Sequence, residues 1–460
     1  MRIRLFCCSF LLSLACVGDA AAIGIPPAPN MQAAPATISI PSPPAWLPAL
    51  DRLYDSRIRV AGLEERKFTS EHWWQITTPL LSAERGFQVN NIAASAEGRP
   101  LRHVAWGDGP KRVLLWSQMH GDESTASMAL ADLLRFLAEH PEHSLVQRLR
   151  QETALHFLPI VNPDGATRFQ RHNAQGIDIN RDARALVSSE ARALQGLRDR
   201  LRPQFGFNLH DQQVGYRAGD SIRGTAIALL APAYDQARQV NATRARAIEV
   251  SAVIRTVLEP YISGHIARWD DTFNPRAFGD LTAQAGVSTI LIESGGIEGD
   301  VHKQRLRKLN FLALVAALDS IATGGHAGMS QALYTTLPEN GAVWPDLRIT
   351  GATLAIPGRP LARADVLIDF EQPLLERGAT IAEVGDLGDT PARRVIDASG
   401  LYLVPIQAPN TTAASRVHDQ PFLPGSPAYF HLSRDQHGRS IVWTLARDVD
   451  PARPGPTRND

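Results

Sequence analysis

The chain has 460 residues, of which 44% are hydrophobic, so it is long enough for two domains of roughly 100–200 residues and rich enough for buried cores. Its 47 basic and 47 acidic residues give a formal net charge of zero, so composition shows no electrostatic footprint for nucleic acid or an anionic membrane surface. We therefore expect a small or electrically neutral partner and no nucleic acid.

Residues 1–22 have the features of a secretory signal peptide. A basic start is followed by the apolar run Leu5–Val17, which is too short to span a bilayer, and by small residues at 20–22. The pattern predicts an exported, periplasmic or secreted protein with no membrane span.

The three cysteines all lie within this N-terminal segment. Lipoprotein anchoring at Cys16 is the less favoured alternative, because Ser13 stands where such signals usually have Leu. After cleavage at residue 22 the chain would have no disulfide, and a metal site would have to use His and carboxylate ligands.

Two segments follow the signal. Residues 23–49 are rich in Pro and Ala and are expected to form a tether. Over residues 50–328, strand-like and helical runs alternate, which predicts an α/β domain with a mixed, largely parallel sheet and flanking helices. Four helices are predicted. The first ends at His140, and the others span about residues 188–201, 233–258 and 303–322.

Residues 329–460 differ in character. Short β-rich runs are separated by Gly, Pro and Asp turns, and Asp435-Gln436-His437-Gly438 between the last two runs is a candidate hairpin loop. We expect a small all-β C-terminal domain, whose role the sequence does not indicate.

Polar residues follow four of the predicted α/β strands. These are His120-Gly-Asp-Glu123, Asn162-Pro-Asp-Gly165, His210-Asp211 and Glu293-Ser-Gly-Gly296. In such folds ligands bind at the carboxyl ends of the strands, so two histidines and two glutamates are expected at one edge.

This residue set suits a catalytic zinc ion, which takes three protein ligands and keeps one position open. His120 and Glu123 are three residues apart at a strand-to-helix turn, and His210 on a neighbouring strand completes the set. Glu293 then remains free to act as a general base. By itself an H-x-x-E pattern is weak, and the similar His140-Pro-Glu-His143 is interpreted as a surface loop.

The passage 162-NPDGATRFQRHNAQGIDINRD-182 makes the pattern specific. Together with HGDE, FNLHD and IESGG, in that order, it resembles the zinc carboxypeptidase family over roughly residues 88–318. The resemblance implies one Zn²⁺ per chain, held by His120, Glu123 and His210. It also implies Glu293 as the base that deprotonates zinc-bound water and later protonates the leaving amine.

The same resemblance implies three further roles. Arg171 would stabilise the tetrahedral oxyanion, and Asn180 with Arg181 would bind the free C-terminal carboxylate of the substrate. Asn162-Pro-Asp-Gly165 is expected to be a turn that aims the following loop.

Two departures limit the transfer. Tyr216, Tyr234 and Tyr261 lie where the family places a substrate-capping Tyr, but none aligns with it, so no capping role is assigned. Residues 269–281 lie where the family builds its specificity pocket, yet their charges do not match the pocket of a digestive enzyme of the family. An acidic residue there would select a basic side chain, or the loop is simply capped and ion-paired.

The sequence thus predicts an exported zinc carboxypeptidase acting on a peptide or peptide-like substrate with a free carboxylate. One alternative is a zinc deacylase or amidase that acts on a non-peptide or cell-wall peptide amide. Another is a non-catalytic binding protein on the same fold, although all four of His120, Glu123, His210 and Glu293 are present.

Overall fold

The computed structural model describes residues 38–406 and 420–445. The predicted signal peptide, Cys16 and the first part of the predicted tether lie outside these residues. Within the described ranges no helix combines the length and apolar character needed to cross a bilayer.

The first part of the chain folds as helices interleaved with strands. Its helices are α1 (Leu47–Leu53), α2 (Ser70–Thr77), α3 (Thr125–Glu139), α4 (Ser144–Glu152), α5 (Pro163–Arg168), α6 (Ser189–Leu201), α7 (Ala242–Ile262), α8 (Phe278–Gln284), α9 (Gln304–Thr323) and α10 (Ala332–Thr335). Its strands are β1 (Phe87–Ala94), β2 (Pro100–Trp106), β3 (Lys111–Ser117), β4 (Thr153–Leu158), β5 (Phe205–Asp211), β6 (Tyr216–Ala218), β7 (Ile227–Leu230), β8 (Ile266–Arg268) and β9 (Ser288–Ser294).

Eight of these strands form one mixed sheet in the order β1-β2-β4-β3-β5-β9-β7-β8. The central neighbours β4, β3, β5 and β9 are parallel, and antiparallel pairs lie towards the edges. This arrangement confirms the predicted mixed, largely parallel α/β fold. It also places the carboxyl ends of β3, β5 and β9 side by side.

Both faces of the central sheet are buried, which is typical of parallel strands. Because side chains alternate along a strand, Val113 and Leu115 of β3 pack into the core formed with α3, α4, α7 and α9. Leu114 and Trp116 point to the other face, where the core includes residues of α6.

A buried ion pair ties the N-terminal segment to this core. Arg307 of α9 contacts both carboxylate oxygens of Asp132 in α3, at 2.7 Å and 2.6 Å, and both side chains are fully buried. Asp132 also accepts hydrogen bonds from the Tyr54 hydroxyl (2.8 Å) and the Val60 backbone N–H (2.8 Å). Four donors therefore satisfy a carboxylate that would otherwise be costly to bury.

Several element boundaries differ from those expected from the sequence. Helix α1 begins at Leu47, inside the predicted tether, because Leu47 and Leu50 are buried in the core. The helix expected from residue 233 begins only at Ala242. The Asn241 side chain accepts a hydrogen bond from the Arg244 N–H and caps it there.

The C-terminal sheet has its own core. Its strands are β11 (Leu347–Leu354), β12 (Ala362–Gln372), β13 (Arg377–Gly385), β14 (Arg394–Asp397), β15 (Tyr402–Pro405), β16 (Phe430–Ser433) and β17 (Ile441–Leu445). Strand β10 (Asn340–Val343) pairs with β6 in a separate two-stranded sheet. The seven strands β11–β17 form one sheet, and the β16–β17 hairpin carries the predicted 435–438 loop.

A separate C-terminal β-sheet domain is therefore present, as expected. Its core begins at Leu347, whereas Tyr334 and Leu337 still belong to the core of the first sheet. The Tyr334 hydroxyl accepts a hydrogen bond from the Ala231 N–H at 3.0 Å.

Candidate metal centre and substrate cleft

The two predicted histidine ligands and Glu123 meet at the carboxyl ends of adjacent strands. His120 follows β3, and His210 lies at the end of β5, the next strand in the sheet. Glu123 lies between the imidazoles, with one oxygen 2.7 Å from Nδ1 of His120 and the other 2.7 Å from Nδ1 of His210. The candidate ligand atoms of all three residues lie within 4.8 Å of one another.

The turn that carries His120 and Glu123 is fixed by close backbone packing. A Cβ on Gly121 would lie 1.9 Å from the backbone carbon of Gly165, so only glycine fits there. Asn162 caps α5 by accepting a hydrogen bond from the Gly165 N–H, and its amide group lies 3.3 Å from the carbonyls of Met119 and Arg171. The Asn-Pro-Asp-Gly turn thus aligns the two loops that flank the centre.

A carboxylate that the sequence analysis did not single out supports His120. Asp178 has one oxygen 3.1 Å from Nε2 of His120, and its other oxygen accepts hydrogen bonds from Arg171 Nε and Nη2. A carboxylate on the second ring nitrogen orients a metal-binding imidazole. The signal was available in the sequence, because Asp178 lies two residues before Asn180 in the quoted motif.

The charges of the three residues favour a cation at their centre. Burial opposes charge on Glu123, but the two imidazoles hold the pKa of its carboxyl well below the usual range. Burial also opposes charge on His120, yet Glu123 and Asp178 together raise its pKa to about 9. A carboxylate with one oxygen beside each of two imidazole nitrogens is a donor set that fits a divalent metal such as zinc.

Glu293 lies beside this set rather than within it. It is the register partner of His210 across the β5–β9 pair. Its side chain is buried, and Oε2 has no hydrogen-bond partner among the described residues. Burial raises the pKa of this carboxyl, and the negative charges of Glu123 and Asp211 raise it further.

The three residues expected to contact substrate line the same cleft, which has a volume of about 930 Å³. Arg171 is half-buried, with Nη1 3.3 Å from Glu123. Arg181 is exposed, and its Nη1 donates to the Asn180 carbonyl at 2.8 Å. The Asn180 side-chain carbonyl accepts a hydrogen bond from the Phe278 N–H at 2.9 Å, and its amide nitrogen lies 3.5 Å from Nε2 of His210.

The structure distinguishes among the three tyrosines to which the sequence assigned no capping role. Of Tyr216, Tyr234 and Tyr261, only Tyr216 lines the cleft. Its ring packs edge-on against Trp269 with centroids 5.3 Å apart. Burial raises the pKa of the Tyr216 phenol, and the charge of Glu293 raises it further. The Tyr216 hydroxyl is therefore close enough to Glu293 to feel its charge.

The charged residues of the 269–281 segment differ in their surroundings. Asp271 is ion-paired with Arg244 at 2.6 Å and with Arg238 at 3.1 Å, which favours the structural interpretation for this residue. Asp270 and Asp280 line the cleft. Burial raises the pKa of Asp280 to about 6.

The two histidines of the similar pattern His140-Pro-Glu-His143 do not belong to this centre. His143 is the N-cap of α4, where its Nδ1 accepts a hydrogen bond from the Leu145 N–H, and its ring packs edge-on against Phe136. Within the described residues the one group suited to a metal is His120, Glu123 and His210.

Residues 83–207 match the family model described as zinc carboxypeptidase. The match includes His120, Glu123, Arg171, Asn180 and Arg181, whereas His210 and Glu293 lie beyond it. The chain is 31% identical over 158 residues to a probable carboxypeptidase 2 of Arthroderma benhamiae, covering 34% of this chain and 29% of that protein. It is 30% identical over 116 residues to the human carboxypeptidase N catalytic chain, covering 21% and 25%.

These alignments span less than a third of the relatives' length. Among solved structures, a metallo-carboxypeptidase from Burkholderia cenocepacia is 16% identical, with a TM-score of 0.44, over 57% of this chain and 71% of that chain. The family match confirms the resemblance that the sequence motifs indicated.

Proposed function

We propose, from the premise that the chain belongs to the zinc carboxypeptidase family, that it hydrolyses the amide bond next to a free C-terminal carboxylate. The observation that carries the proposal is one cleft lined by His120, Glu123, Glu293, Arg171 and Arg181. The cleft therefore combines metal-ligand residues, a buried carboxyl group and two guanidinium groups.

His120, Glu123 and His210 would hold the ion, which we propose to be one Zn²⁺ per chain. When bound, zinc acts as a Lewis acid and lowers the pKa of water to roughly 7. Asp178 keeps the proton on Nε2 of His120, so that Nδ1 is the nitrogen left to coordinate.

Glu293 is proposed as the general base and acid. Oε2, which has no hydrogen-bond partner among the described residues, would take the proton of the attacking water and deliver it to the leaving amine. Its buried position keeps this carboxyl away from bulk solvent, and its place beside His210 keeps it next to the metal ligands.

The two arginines are proposed to have separate tasks. Arg171 is held by Asp178 through Nε and Nη2, so its Nη1 stays on the side of Glu123 and can stabilise developing negative charge. Arg181 has an exposed guanidinium in the cleft, and its fork suits the two oxygens of a carboxylate. The Asn180 amide nitrogen is the second proposed donor to that carboxylate.

Matched substrates test the proposal directly. The purified protein is incubated with a blocked dipeptide that ends in a free carboxylate and with the same dipeptide ending in an amide. We expect release of the C-terminal residue from the first substrate and at least tenfold slower release from the second. Arg181→Ala should lose this discrimination, whereas Arg184→Ala, an exposed arginine outside the cleft, should keep it.

The alternatives predict other outcomes. A deacylase or amidase would cleave acylated amino acids faster than dipeptides, and a binding protein would cleave neither. Export to the periplasm or the medium remains part of the proposal. It rests on residues 1–22, which lie outside the described residues.

A further inference from the structure

The C-terminal β domain contributes directly to the cleft. Residues 343–346, which precede β11, and residues 369–371 with Pro373, from the end of β12, line the same cavity as His120 and Glu293. We call these residues the β-domain wall. The cavity of about 930 Å³ is near the upper end of the usual range for small-ligand pockets, and the wall forms part of its boundary.

The β-domain wall is held next to the catalytic residues by the loop that follows His210. The Trp344 N–H donates to the Gly215 carbonyl at 3.1 Å, just before β6 pairs with β10. A Cβ on Gly215 would lie 2.8 Å from the Trp344 carbonyl oxygen, so the two backbones are in close contact. The Asn340 amide adds a hydrogen bond to Gln212 at 2.7 Å. The wall and the strand carrying His210 therefore form one continuous surface.

Two of the wall's carboxylates differ in charge balance. Asp346 contacts Arg393 at 2.7 Å and accepts a hydrogen bond from the Phe370 N–H at 2.8 Å, so its charge is balanced within the domain. Asp369 is exposed, and its carboxylate accepts a long hydrogen bond of 3.4 Å from the Asp346 N–H. No Lys or Arg of the described residues forms a salt bridge with Asp369. Partial burial of its carboxyl group and the charge of Asp346 both raise the pKa of Asp369.

The cleft also contains buried polar atoms that await a partner. Within the described residues, both amide atoms of Asn208, the amide nitrogen of Gln212 and Oε2 of Glu293 form no hydrogen bond, and all three side chains are more than nine-tenths buried. Each residue lines the cleft. Buried polar atoms are normally satisfied, so these atoms are hydrogen-bonding groups of the cleft wall that no described residue satisfies.

The cleft is lined by guanidinium groups from one segment of the chain and by carboxylates of the β-domain wall from another. Arg171 and Arg181 belong to the loop around Asp178 and Asn180, where Arg276 of the 269–281 segment contacts the Arg181 carbonyl at 3.4 Å. Asp369 and Glu371 belong to the β-domain wall, which contacts the loop containing Gly215. A ligand with a carboxylate at one end and a cation at the other would complement both.

We propose that the β-domain wall selects substrates with a cationic group on the N-terminal side of the scissile amide, through Asp369 and Glu371. The inference rests on the proposed carboxypeptidase function. With the substrate carboxylate at Arg181, the cation of a short peptide, such as its free α-ammonium group, lies towards the wall. Short peptides with a free amino group are therefore the substrate class that this cleft fits.

The test compares one tripeptide with its N-acetylated form on the full-length, zinc-loaded protein. We expect kcat/KM at low ionic strength to be about 3- to 10-fold higher for the free amine, as two partly exposed charge pairs would give. The ratio should fall towards one in the Asp369→Asn/Glu371→Gln variant. The matched control is Glu383→Gln, which removes an exposed carboxylate of β13 outside the cleft and should keep the wild-type ratio.

Each outcome decides the inference. A ratio near one in the wild type, or an unchanged ratio in the double variant, overturns the selective wall while leaving the carboxypeptidase proposal intact. If the wild type cleaves neither peptide, the proposed function fails first. The affinities of the two peptides for wild type and double variant, measured by calorimetry, then decide whether the wall still distinguishes them.

Discussion

The ammonium group of Lys303 lies 2.9 Å from Oδ2 of Asp211 and 3.0 Å from the Ser294 carbonyl, and its side chain is 1% exposed. Asp211 follows His210, and Ser294 follows Glu293. The Asp211 N–H in turn donates to Glu123 at 3.1 Å. One buried cation therefore joins the ends of the two strands that carry a candidate ligand and the candidate base.

Replacing Lys303 by Met should destabilise the protein by about 3 kcal/mol, because the buried carboxylate of Asp211 would lose its nearer cation and keep only Arg66, at 3.6 Å. The measurement is denaturant unfolding followed by fluorescence. Lys67→Met changes an exposed lysine and should cost less than about 0.5 kcal/mol. Equal stability of the two variants would contradict the role assigned to Lys303.

Metal binding should depend on His120 and not on His143. We expect wild-type protein to bind about one zinc per chain, and His120→Ala to lose most of it, because two ligands hold a divalent ion far less tightly than three. His143→Ala removes an N-cap, at a cost of about 1 kcal/mol in stability, but should keep the zinc. Elemental analysis after dialysis measures both, and zinc retained by His120→Ala would contradict the ligand assignment.

Acid should destabilise the sheet through His103 and His156. Nε2 of His103 lies 3.0 Å from Nδ1 of His156 on neighbouring strands, and burial lowers the pKa of each imidazole to about 4. The unfolded chain takes up these protons near pH 6.5 and the folded chain near pH 4, so stability falls as pH decreases through this window.

At pH 5, the lowered pKa of His103 should reduce the free energy of unfolding by on the order of 2 kcal/mol. His103→Gln should therefore lose less stability than the wild type between pH 7 and pH 5, as measured by urea unfolding at both values. His437→Gln, which changes an exposed histidine in the hairpin loop, should lose as much as the wild type. A His103→Gln variant with the wild-type pH response would refute the assignment.

Tyr216 should contribute to substrate binding through its hydroxyl. Tyr216→Phe is expected to lower kcat/KM for a dipeptide by about 2- to 10-fold, the effect of one hydrogen bond of 0.5–1.5 kcal/mol. Tyr261→Phe is the matched control, because Tyr261 packs against the core of the first sheet and lies outside the cleft. Equal kinetics for the two variants would show that the Tyr216 hydroxyl does not reach the substrate.

Much of the fold and the centre could be predicted from local sequence. Apolar strands that end in His120, His210 and Glu293 predicted both a parallel sheet and the edge at which these residues lie, because parallel strands share their carboxyl ends. Helix α6 was predicted to within a residue, since Ser188 caps its start and its apolar spacing is regular.

Other features depend on long-range contacts that sequence periodicity does not encode. Leu47 is helical because the core covers it, although the composition around it is that of a tether. Asp178 and Lys303 owe their importance to partners 58 and 92 residues away. The β-domain wall depends on the contact between residues 343–346 and Gly215, which are far apart in the sequence.

The most direct test of the account compares wild type with Glu293→Gln for zinc content and for release of C-terminal residues from blocked dipeptides. The account predicts about one zinc per chain in both proteins, because Glu293 lies beside the ligand set, and release by the wild type alone. A variant as active as the wild type, or wild-type protein without zinc, would contradict it.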